Sequence, residues 1–425
     1  MIYIRNASQV VTVAGASSAP KTGDDMGQLH VIENGGVVTE GDTIVFVGSD
    51  EEAGQFVETH AASGEVTIID AAGKLVTPGL IDPHTHIVFA GSREHELNMR
   101  LEGATYMDIL NAGGGILSST EKTREASEEQ LAAETRKRLD RFLAYGVTTI
   151  EAKSGYGLRL EDELKQLRVA KVLNEEHPID LVSTFMGAHA VPLEYKKDPD
   201  AYVKIVREQM IPAVAREQLA EYCDVFCEEG VFTPEQSRAV LETGLRWGLK
   251  PKIHADELVS YGGAELAAEI GAVSAEHLLN ASAEGIRAMA RQGVIAVLLP
   301  GTAFFLMTKP ANARAMIQAG VPVALSTDRN PGSCPTESLP FIMNLACFSM
   351  RMTPAEVLTA CTINAAHAIG RADRIGSLEA GKQADIVMFD APNYMYLQYH
   401  YAVNLVDAVI KKGKPVILDG KRVQG

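Results

Sequence analysis

The sequence predicts an α/β protein, a TIM (β/α)8 barrel joined to a small β domain that is built from both ends of the chain. Three observations predict this fold. The 425 residues exceed one ordinary domain, the middle of the chain alternates apolar β-branched runs with charged helical stretches, and both ends contain short strand-like segments separated by turn residues. Eight run-and-helix units over about 300 residues match a TIM barrel with one insertion.

The two ends of the chain share the same strand-rich pattern. Helical periodicity is absent at the amino-terminal end. Gly, Asn and Asp turn signals separate the segments, which cover residues 1–5, 10–13, 41–48, 65–70, 384–389, 408–411 and 414–418. Neither end has enough strands for a stable sheet of its own. We therefore expect residues 1–72 and 375–425 to form one composite β-sandwich domain, and residues 73–374 to form the barrel.

Eight apolar runs are the candidate barrel strands. They cover residues 74–86, 146–155, 181–189, 223–230, 250–257, 272–277, 294–300 and 321–330. The longest interval between run ends follows the first run, which predicts an insertion there. It contains the triplet Gly113-Gly-Gly115, for which two interpretations stay open, a flexible loop over the barrel mouth and an ordinary turn.

Composition and charge exclude several classes of function. Lys and Arg number 39 against 55 Asp and Glu, so the formal net charge is −16, and such a chain repels nucleic acids. Hydrophobic residues make up 46% and charged residues 22%, which excludes disorder as the main state. The five Cys have no metal-binding or CxxC spacing and are expected to be reduced thiols. No stretch has the length of a signal peptide or a membrane helix, so we expect a cytoplasmic protein without a membrane partner.

The ends of the predicted barrel strands are rich in metal-ligand residues. In TIM barrels the chemistry lies at these ends, and five of the eleven His occur there, namely His84, His86, His189, His254 and His277. His84 and His86 are two apart, so both project from one face of an extended strand. In a closed barrel Asp328, at the end of the eighth run, lies beside them, and His254 faces them across the mouth. Three imidazoles and a carboxylate suit one divalent metal, zinc or iron, with a position left for water.

Two further residues at these strand ends are candidate catalytic groups. Glu257 follows His254 by three residues and is expected to accept a proton from a metal-bound water. A helix-start carboxylate that complements the helix dipole is the alternative interpretation. His277 is expected to polarise the substrate oxygen or to hydrogen-bond the nucleophile, and a supporting partner of a metal ligand is its alternative.

These residues resemble the amidohydrolase superfamily. The segment Asp82-Pro-His84-Thr-His86, the later His254, His277 and Asp328, and the carboxyl-terminal segment 376–387 carry the resemblance over essentially the whole chain. It implies a metal-bearing barrel and a composite β domain. Members with two metals carry a bridging Lys on strand four, and residues 223–230 contain none, so we expect one metal per chain. Glu228 or Glu229 stays open as a replacement for that Lys.

Finer motifs at residues 88–93, 153–157, 185–189, 254–257 and 328–333 resemble one branch of this superfamily. The resemblance implies hydrolysis of 4-imidazolone-5-propanoate to N-formimidoyl-L-glutamate in histidine degradation, by attack of metal-activated water on the cyclic amide carbonyl. Glu257, His277 and Asp328 would be catalytic. Arg93 would hold the propanoate carboxylate, which a guanidinium binds bidentately. The resemblance also implies substrate contacts at Tyr156, His189, Glu257, Asn330, Gly332 and Ser333, and Arg329 receives no role.

Two rival functions and two properties stay open at this point. An aminohydrolase acting on a cytosine- or guanine-like base shares the His254, Glu257 and His277 pattern, but Arg93 favours an anionic tail that those bases lack. A scaffold that has lost its chemistry is disfavoured because every predicted ligand is present. The expected partner is a small-molecule substrate, and the resemblance suggests a homodimer. The pattern does not distinguish Zn²⁺ from Fe²⁺ or Fe³⁺.

Overall fold

The computed structural model describes residues 1–61, 66–104, 108–109 and 114–423. Its strands, in chain order, are β1 (Ile2–Val11), β2 (Val31–Glu40), β3 (Thr43–Ser49), β4 (Thr67–Asp70), β5 (Leu75–Pro78), β6 (Leu80–Asp82), β7 (Val147–Lys153), β8 (Asp180–Ala188), β9 (Tyr222–Cys227), β10 (Lys250–Ala255), β11 (Ser274–His277), β12 (Ile295–Leu298), β13 (Val323–Leu325), β14 (Ile386–Phe389), β15 (Val406–Lys411), β16 (Lys414–Leu418) and β17 (Lys421–Arg422).

The helices lie mainly between the central strands, but one of them, Asp50–His60, lies in the amino-terminal segment, where the expected absence of helix is wrong. They cover Asp50–His60, Glu94–Leu101, Ile116–Glu125, Glu128–Ala144, Leu160–Glu176, Pro199–Ile205, Ile211–Arg216, Pro234–Arg246, Gly263–Ile270, Ala283–Gln292, Pro300–Phe305, Ala313–Gln318, Leu339–Met350, Pro354–Cys361, Ile363–Ala368 and Tyr396–Tyr399. Within the described part of the chain, none of the helices combines the length and the apolar character needed to cross a membrane.

Eight parallel strands, β6 to β13, form the predicted barrel. They are hydrogen-bonded in sequence order, and their pairing is parallel throughout. The first and last strands meet through a bridge between Thr85 and Arg329. The backbone N–H of His86 donates to the Arg329 carbonyl at 2.9 Å, and that of Asp328 donates to the His84 carbonyl at 3.1 Å. The chain segments that follow β6 and β13 are therefore neighbours, as the sequence predicts.

The first predicted run, residues 74–86, is divided between two sheets. Its beginning, β5, pairs with β1 and β14, and only β6 belongs to the barrel. Gly79 lies between the two strands, and a Cβ built there would lie 2.3 Å from Thr148 Oγ1. The prediction of one continuous barrel strand is wrong because the pairing of β5 with β1 and β14, and the hydrogen bond from the Gly79 N–H to the Asp385 carbonyl at 2.9 Å, hold the first part of the run in the second sheet. The domain limits 1–72, 73–374 and 375–425 stay predictions.

The second sheet combines both ends of the chain. Eight of its nine strands follow the order β17-β16-β15-β14-β5-β1-β2-β3, and β4 pairs with β1. Its buried side chains form an apolar cluster to which β1, β2, β5, β14 and β15 all contribute. Neither chain end supplies that cluster alone, which is why the two ends fold together.

The predicted insertion lies between β6 and β7. It contains the helices Glu94–Leu101, Ile116–Glu125 and Glu128–Ala144. Of the glycine triplet, Gly113 lies outside the described residues. The backbone N–H of Gly115 donates to the buried carboxylate of Glu96 at 2.7 Å, so the described end of the triplet is anchored to the first of these helices.

Candidate active site

Four predicted metal ligands meet at the carboxyl-terminal end of the barrel. His84 and His86 follow β6, His254 lies in β10, and Asp328 follows β13. All four side chains are buried. One nitrogen atom of each of the three imidazoles lies within 4.8 Å of the others. Asp328 Oδ1 lies 3.4 Å from His84 Nε2 and 3.9 Å from His86 Nε2.

The outer nitrogen of each imidazole faces an acceptor. His84 Nδ1 lies 2.5 Å from Glu276 Oε2, and His254 Nδ1 lies 3.1 Å from Asp224 Oδ2. His86 Nδ1 lies 3.3 Å from the Ser154 carbonyl oxygen. When Nδ1 carries the proton, Nε2 has its lone pair free for a metal.

The electrostatics and hydrogen bonding of the cluster fit a metal ion. His84 Nε2 is buried and has no hydrogen-bond partner, a costly situation for a polar atom unless a ligand binds there. Burial, aided by the charge of Lys153 at His84 and by His189 at His86, holds the pKa of both imidazoles well below 6.5. They are therefore neutral, as metal ligands must be. The chemistry of this donor set suits zinc or iron.

Asp328 and His277 have strained backbones. Their φ angles are +54° and +69°, a left-handed conformation that costs non-glycine residues energy and is concentrated at functional sites. Asp328 Oδ2 accepts a hydrogen bond from Thr302 Oγ1 at 2.6 Å, which leaves Oδ1 directed to the imidazoles. Burial raises the pKa of Asp328 to about 6.

Glu257 lies beside His277 at the edge of the cluster. Its Oε1 is 3.5 Å from His277 Nδ1, and its side chain is 12% exposed. Burial, with the charges of Asp328 and Glu228, raises the pKa of Glu257 to about 8. A carboxyl group with such a pKa can both accept and return a proton near neutral pH. Glu257 also lines a cavity of about 970 Å³.

The structure removes one alternative for Glu257 and shows what its neighbour Glu228 contacts. The next helix begins at Gly263, and Asp256 accepts from its first N–H groups, so Glu257 is not a helix-start carboxylate. Glu228 accepts from the backbone N–H of Leu258 at 2.8 Å. Its carboxylate therefore fixes the loop that carries Glu257, and a bridging position of Glu228 or Glu229 between two metals stays an untested alternative.

Arg93 is held by a buried carboxylate. Its Nε and Nη2 donate to the two oxygens of Glu96 at 2.8 and 2.7 Å. Its Nη1 lies against Gly332, where a Cβ would be only 2.1 Å away. Glu96 thus occupies the Nε–Nη2 edge of the guanidinium. The absence of a side chain at Gly332 makes room for the edge that includes Nη1.

Tyr156 and His189 line one side of the cluster. The His189 ring stacks on that of His86 with centroids 4.8 Å apart, and the Tyr156 ring meets the edge of His189 at 5.3 Å. Burial lowers the pKa of His189 to about 3. Burial also raises the pKa of Tyr156, which the charges of Arg93, Asp328 and Glu257 influence too. The Tyr156 ring also meets the His86 ring edge-on, with centroids 5.7 Å apart.

The remaining predicted contacts lie in the loop after β13. The Asn330 side chain donates to the Asp328 carbonyl and to Ser333 Oγ, both at 2.8 Å, and accepts from the N–H groups of Gly332 and Ser333. Asn330 thus organises the loop that presents Asp328 and Gly332. Arg329 donates to Glu337 at 2.7 Å and to the Asn330 carbonyl at 2.9 Å, so its side chain holds the same loop in place.

Five buried charges below the cluster are absent from the sequence prediction. Their side chains are 0% exposed, and they are Glu151, Lys153, Asp224, Lys252 and Glu276. A signal for them exists in the sequence. Residues 151 and 153, and residues 252 and 254, are pairs two apart within apolar strands, which places each pair on one face.

Comparison with known proteins agrees with this geometry. The model of the amidohydrolase family matches residues 75–423. The chain is 68% identical over 420 residues to an imidazolonepropionase of Shouchella clausii, covering 99% of this chain and 94% of that protein. It is 64% identical over 420 residues to one from a Geobacillus species, covering 99% of each, and 52% identical over 416 residues to one from Fusobacterium nucleatum, covering 98% of each.

The chain belongs to the imidazolonepropionase family, within the amidohydrolases.

Solved structures outside the imidazolonepropionase family share its fold. A triazine hydrolase from Arthrobacter aurescens aligns with a TM-score of 0.75 at 18% identity over 99% of this chain and 96% of that one. An adenosine deaminase from Xanthomonas campestris with bound zinc aligns with a TM-score of 0.73 at 19% identity over 100% of this chain and 94% of that one. At these identities the likeness is one of architecture.

Proposed function

We propose that this protein hydrolyses 4-imidazolone-5-propanoate to N-formimidoyl-L-glutamate, a step of histidine degradation. The observation that carries the proposal is one arrangement, the three imidazoles and Asp328 at the barrel end with Arg93 nearby on Gly332. The first group fits a hydrolytic metal, and the second fits a carboxylate tail. Near-full-length relatives named imidazolonepropionase support the same substrate.

The metal site in this proposal contains one divalent ion, zinc or iron, held by His84, His86, His254 and Asp328. When bound, the ion would polarise the substrate carbonyl and make a water molecule acidic near neutral pH. Zinc in the structural neighbours is in keeping with this choice.

Glu257 is the proton carrier in this proposal. Water adds to the ring carbonyl carbon, the bond from that carbon to the ring nitrogen breaks, and the nitrogen gains a proton. Burial raises the pKa of the Glu257 carboxyl above its usual range, which strengthens it as a base for the proton of the attacking water and as the acid that returns this proton to the leaving nitrogen. His277, 3.5 Å from Glu257, would stabilise negative charge on the carbonyl oxygen by donating an N–H.

The propanoate tail provides substrate selection. Glu96 occupies the Nε–Nη2 edge of Arg93, so the substrate carboxylate would take the edge that includes Nη1, beside Gly332 and Ser333. Tyr156 and His189 would contact the ring, and Asn330 would hold the loop in place. Tyr156, influenced by the charges of both Arg93 and Asp328, spans the distance between tail and metal.

We also propose a cytoplasmic homodimer. Five free cysteines, four of them buried, suit a reducing compartment. The aromatic side chains of Phe348, Tyr399 and Tyr401 are 60%, 80% and 62% exposed, and Phe348 and Tyr401 are in edge contact at 5.8 Å. Such a patch of exposed aromatic side chains is typical of a protein–protein interface. For a dimer, light scattering on the purified protein should give twice the chain mass of 45.7 kDa.

The test of the proposed function compares two substrates and three proteins. Wild type should consume the imidazolone absorbance and produce formimidoylglutamate. Arg93→Ala should lose about tenfold to hundredfold in kcat/KM, as expected for a charge-assisted pair, and should process a tail-less imidazolone as poorly as wild type does. Arg100→Ala is the control. It removes another cation that pairs with Glu96, at 3.5 Å, but it keeps Arg93, so its kcat/KM should stay near that of wild type. A wild-type preference for the tail-less ring, or ammonia release from cytosine or guanine, would contradict the proposal.

A further inference from the structure

Five buried charges lie beneath the candidate metal centre, and the proposed mechanism uses none of them. Glu151 and Lys153 lie on β7, Asp224 on β9, Lys252 on β10 and Glu276 on β11. Their side chains are completely buried. Unpaired charges in such a position are strongly destabilising, so each must have close partners of opposite sign.

Lys153 is the centre of this group. Its Nζ lies 2.7 Å from Asp224 Oδ2, 2.9 Å from Glu276 Oε2 and 3.1 Å from Glu151 Oε2. An ammonium group has three N–H donors, and here three carboxylates surround it. Lys252 is more peripheral, at 2.9 Å from Glu151 Oε1 and 3.7 Å from Glu276 Oε1.

Two of the oxygen atoms that contact Lys153 also contact candidate metal ligands. Asp224 Oδ2 lies 3.1 Å from His254 Nδ1, and Glu276 Oε2 lies 2.5 Å from His84 Nδ1. Each oxygen is therefore shared between the ammonium and an imidazole. An acceptor at Nδ1 fixes the orientation of a metal-binding imidazole and raises its basicity.

Lys153 also stands where other metal-type groups converge. His84, Glu151 and Glu276 form one such group, and Asp224, His254 and Glu276 form another, with ligand atoms within 4.8 Å in each. Glu276 Oε2 also lies 3.6 Å from His254 Nδ1, so the two groups share this oxygen. Every carboxylate in these two groups lies within 3.1 Å of the Lys153 ammonium.

We propose that Lys153 is the internal cation of the metal centre. It is a positioning residue that orients His84 and His254 through the shared carboxylate oxygens, and its ammonium occupies the place that a second divalent ion would take. The inference rests on the metal ligands of the proposed function, and it explains a count of one metal per chain by a residue on β7.

The test compares Lys153→Met with Lys252→Met. Both substitutions remove one buried ammonium of the same cluster, but only Lys153 contacts the oxygens shared with the imidazoles. After dialysis against zinc, elemental analysis should give one ion per chain for wild type and Lys252→Met, and two for Lys153→Met. Competition with a chromophoric chelator should show the first ion bound about tenfold to hundredfold more weakly in Lys153→Met.

A second variant covers the case in which Lys153→Met fails to fold. In Lys153→Met/Glu151→Gln one cation and one anion are removed together, so the formal charge of the cluster is unchanged while Asp224 and Glu276 still lose the ammonium. Two ions are again expected, because the group formed by Asp224, His254 and Glu276 does not include Glu151. If the Lys153 variants bind one ion as tightly as Lys252→Met does, the inference is overturned. If they bind one ion but more weakly, Lys153 orients the imidazoles but does not keep out a second ion, and that part of the inference is overturned. A wild type that binds one zinc but leaves imidazolonepropanoate intact contradicts only the proposed function.

Discussion

The positions of individual side chains in this site are fixed by the groups that hydrogen-bond to them or to their loops. Glu228 fixes the loop of Glu257 through backbone N–H groups, Thr302 holds one oxygen of Asp328, and Glu96 holds Arg93. Each of these contacts leaves one functional atom facing the site. At the scale of the residue, function therefore depends on pairs in which one member positions the other.

Glu257→Gln should keep the metal and lose about a hundredfold or more in kcat, a typical contribution of general acid–base catalysis. The amide cannot accept the proton, while His84, His86, His254 and Asp328 are unchanged. Elemental analysis and steady-state turnover of the same preparation measure the two effects. Turnover at the wild-type rate would transfer the proton step to Asp328 or His277.

Gly332→Ala should raise KM for the propanoate substrate about tenfold or more. The added Cβ would lie 2.1 Å from Arg93 Nη1, so the guanidinium must move from the position where it binds the tail, with a loss comparable to that of one charged hydrogen bond. Gly27→Ala is the control, because a Cβ there meets no atom within 4 Å. Equal KM values for the two variants would show that the tail does not bind beside Gly332.

At the scale of the element, ion pairs connect the two sheets. Lys411 of β15 donates to Asp180, the first residue of β8, at 2.8 Å and to Asp385 at 2.6 Å. The Lys412 side chain also donates to Asp180, at 2.6 Å. Burial raises the pKa of Asp180, but Lys411 and Lys412 outweigh it and hold the pKa below its usual 3.8.

Asp180→Asn should lower the free energy of unfolding by about 1 kcal/mol at pH 7, since the carboxylate is only partly screened by solvent. A lowered pKa in the folded state stabilises above the unfolded value, and this contribution disappears as the pH falls through the folded value. The difference between wild type and variant should therefore shrink below about pH 4.

Denaturant unfolding at pH 7 and at pH 3 to 4 measures this difference, with Glu58→Gln as the exposed control. A difference that is constant over this range would show that the charge of Asp180 is not what stabilises the junction between β8 and β15.

At the scale of the whole molecule, the candidate metal ligands join distant parts of the barrel. They come from the ends of β6, β10 and β13. The segments after β6 and β13 already meet through a bridge, backbone hydrogen bonds and a hydrogen bond from Ser326 Oγ to the His84 carbonyl at 2.7 Å. A bound ion would therefore connect the first and last strands and strengthen the closure of the barrel.

Removal of the metal with a chelator should abolish turnover and lower the melting temperature. A ligand that binds only the folded state at 100 times its dissociation constant stabilises it by about 2.7 kcal/mol, and re-addition of zinc should restore both properties. Thermal unfolding monitored by circular dichroism, with and without zinc, gives the result. An unchanged melting temperature would show that an ion bound by the cluster does not stabilise the folded protein.

Much of the fold and the centre of the site could be predicted from local patterns. Alternating apolar runs and helices predict eight parallel strands, because a βαβ unit has a short repeat along the chain. His84 and His86 are predicted to share a face because side chains alternate along a strand. The barrel then brings His254 and Asp328 towards them through topology alone.

Other features depend on contacts between residues that are far apart in the sequence. The division of residues 74–86 between two sheets follows from the pairing of β5 with β1 and β14, and the position of Arg93 against Gly332 requires the loop after β13. Lys153 contacts three carboxylates from three different strands. The spacing of Glu151 and Lys153 indicates that they share a face of β7, but it gives no sign of Asp224 and Glu276. The low-dielectric interior makes the position of Lys153 favourable only when all of its partners are assembled around it.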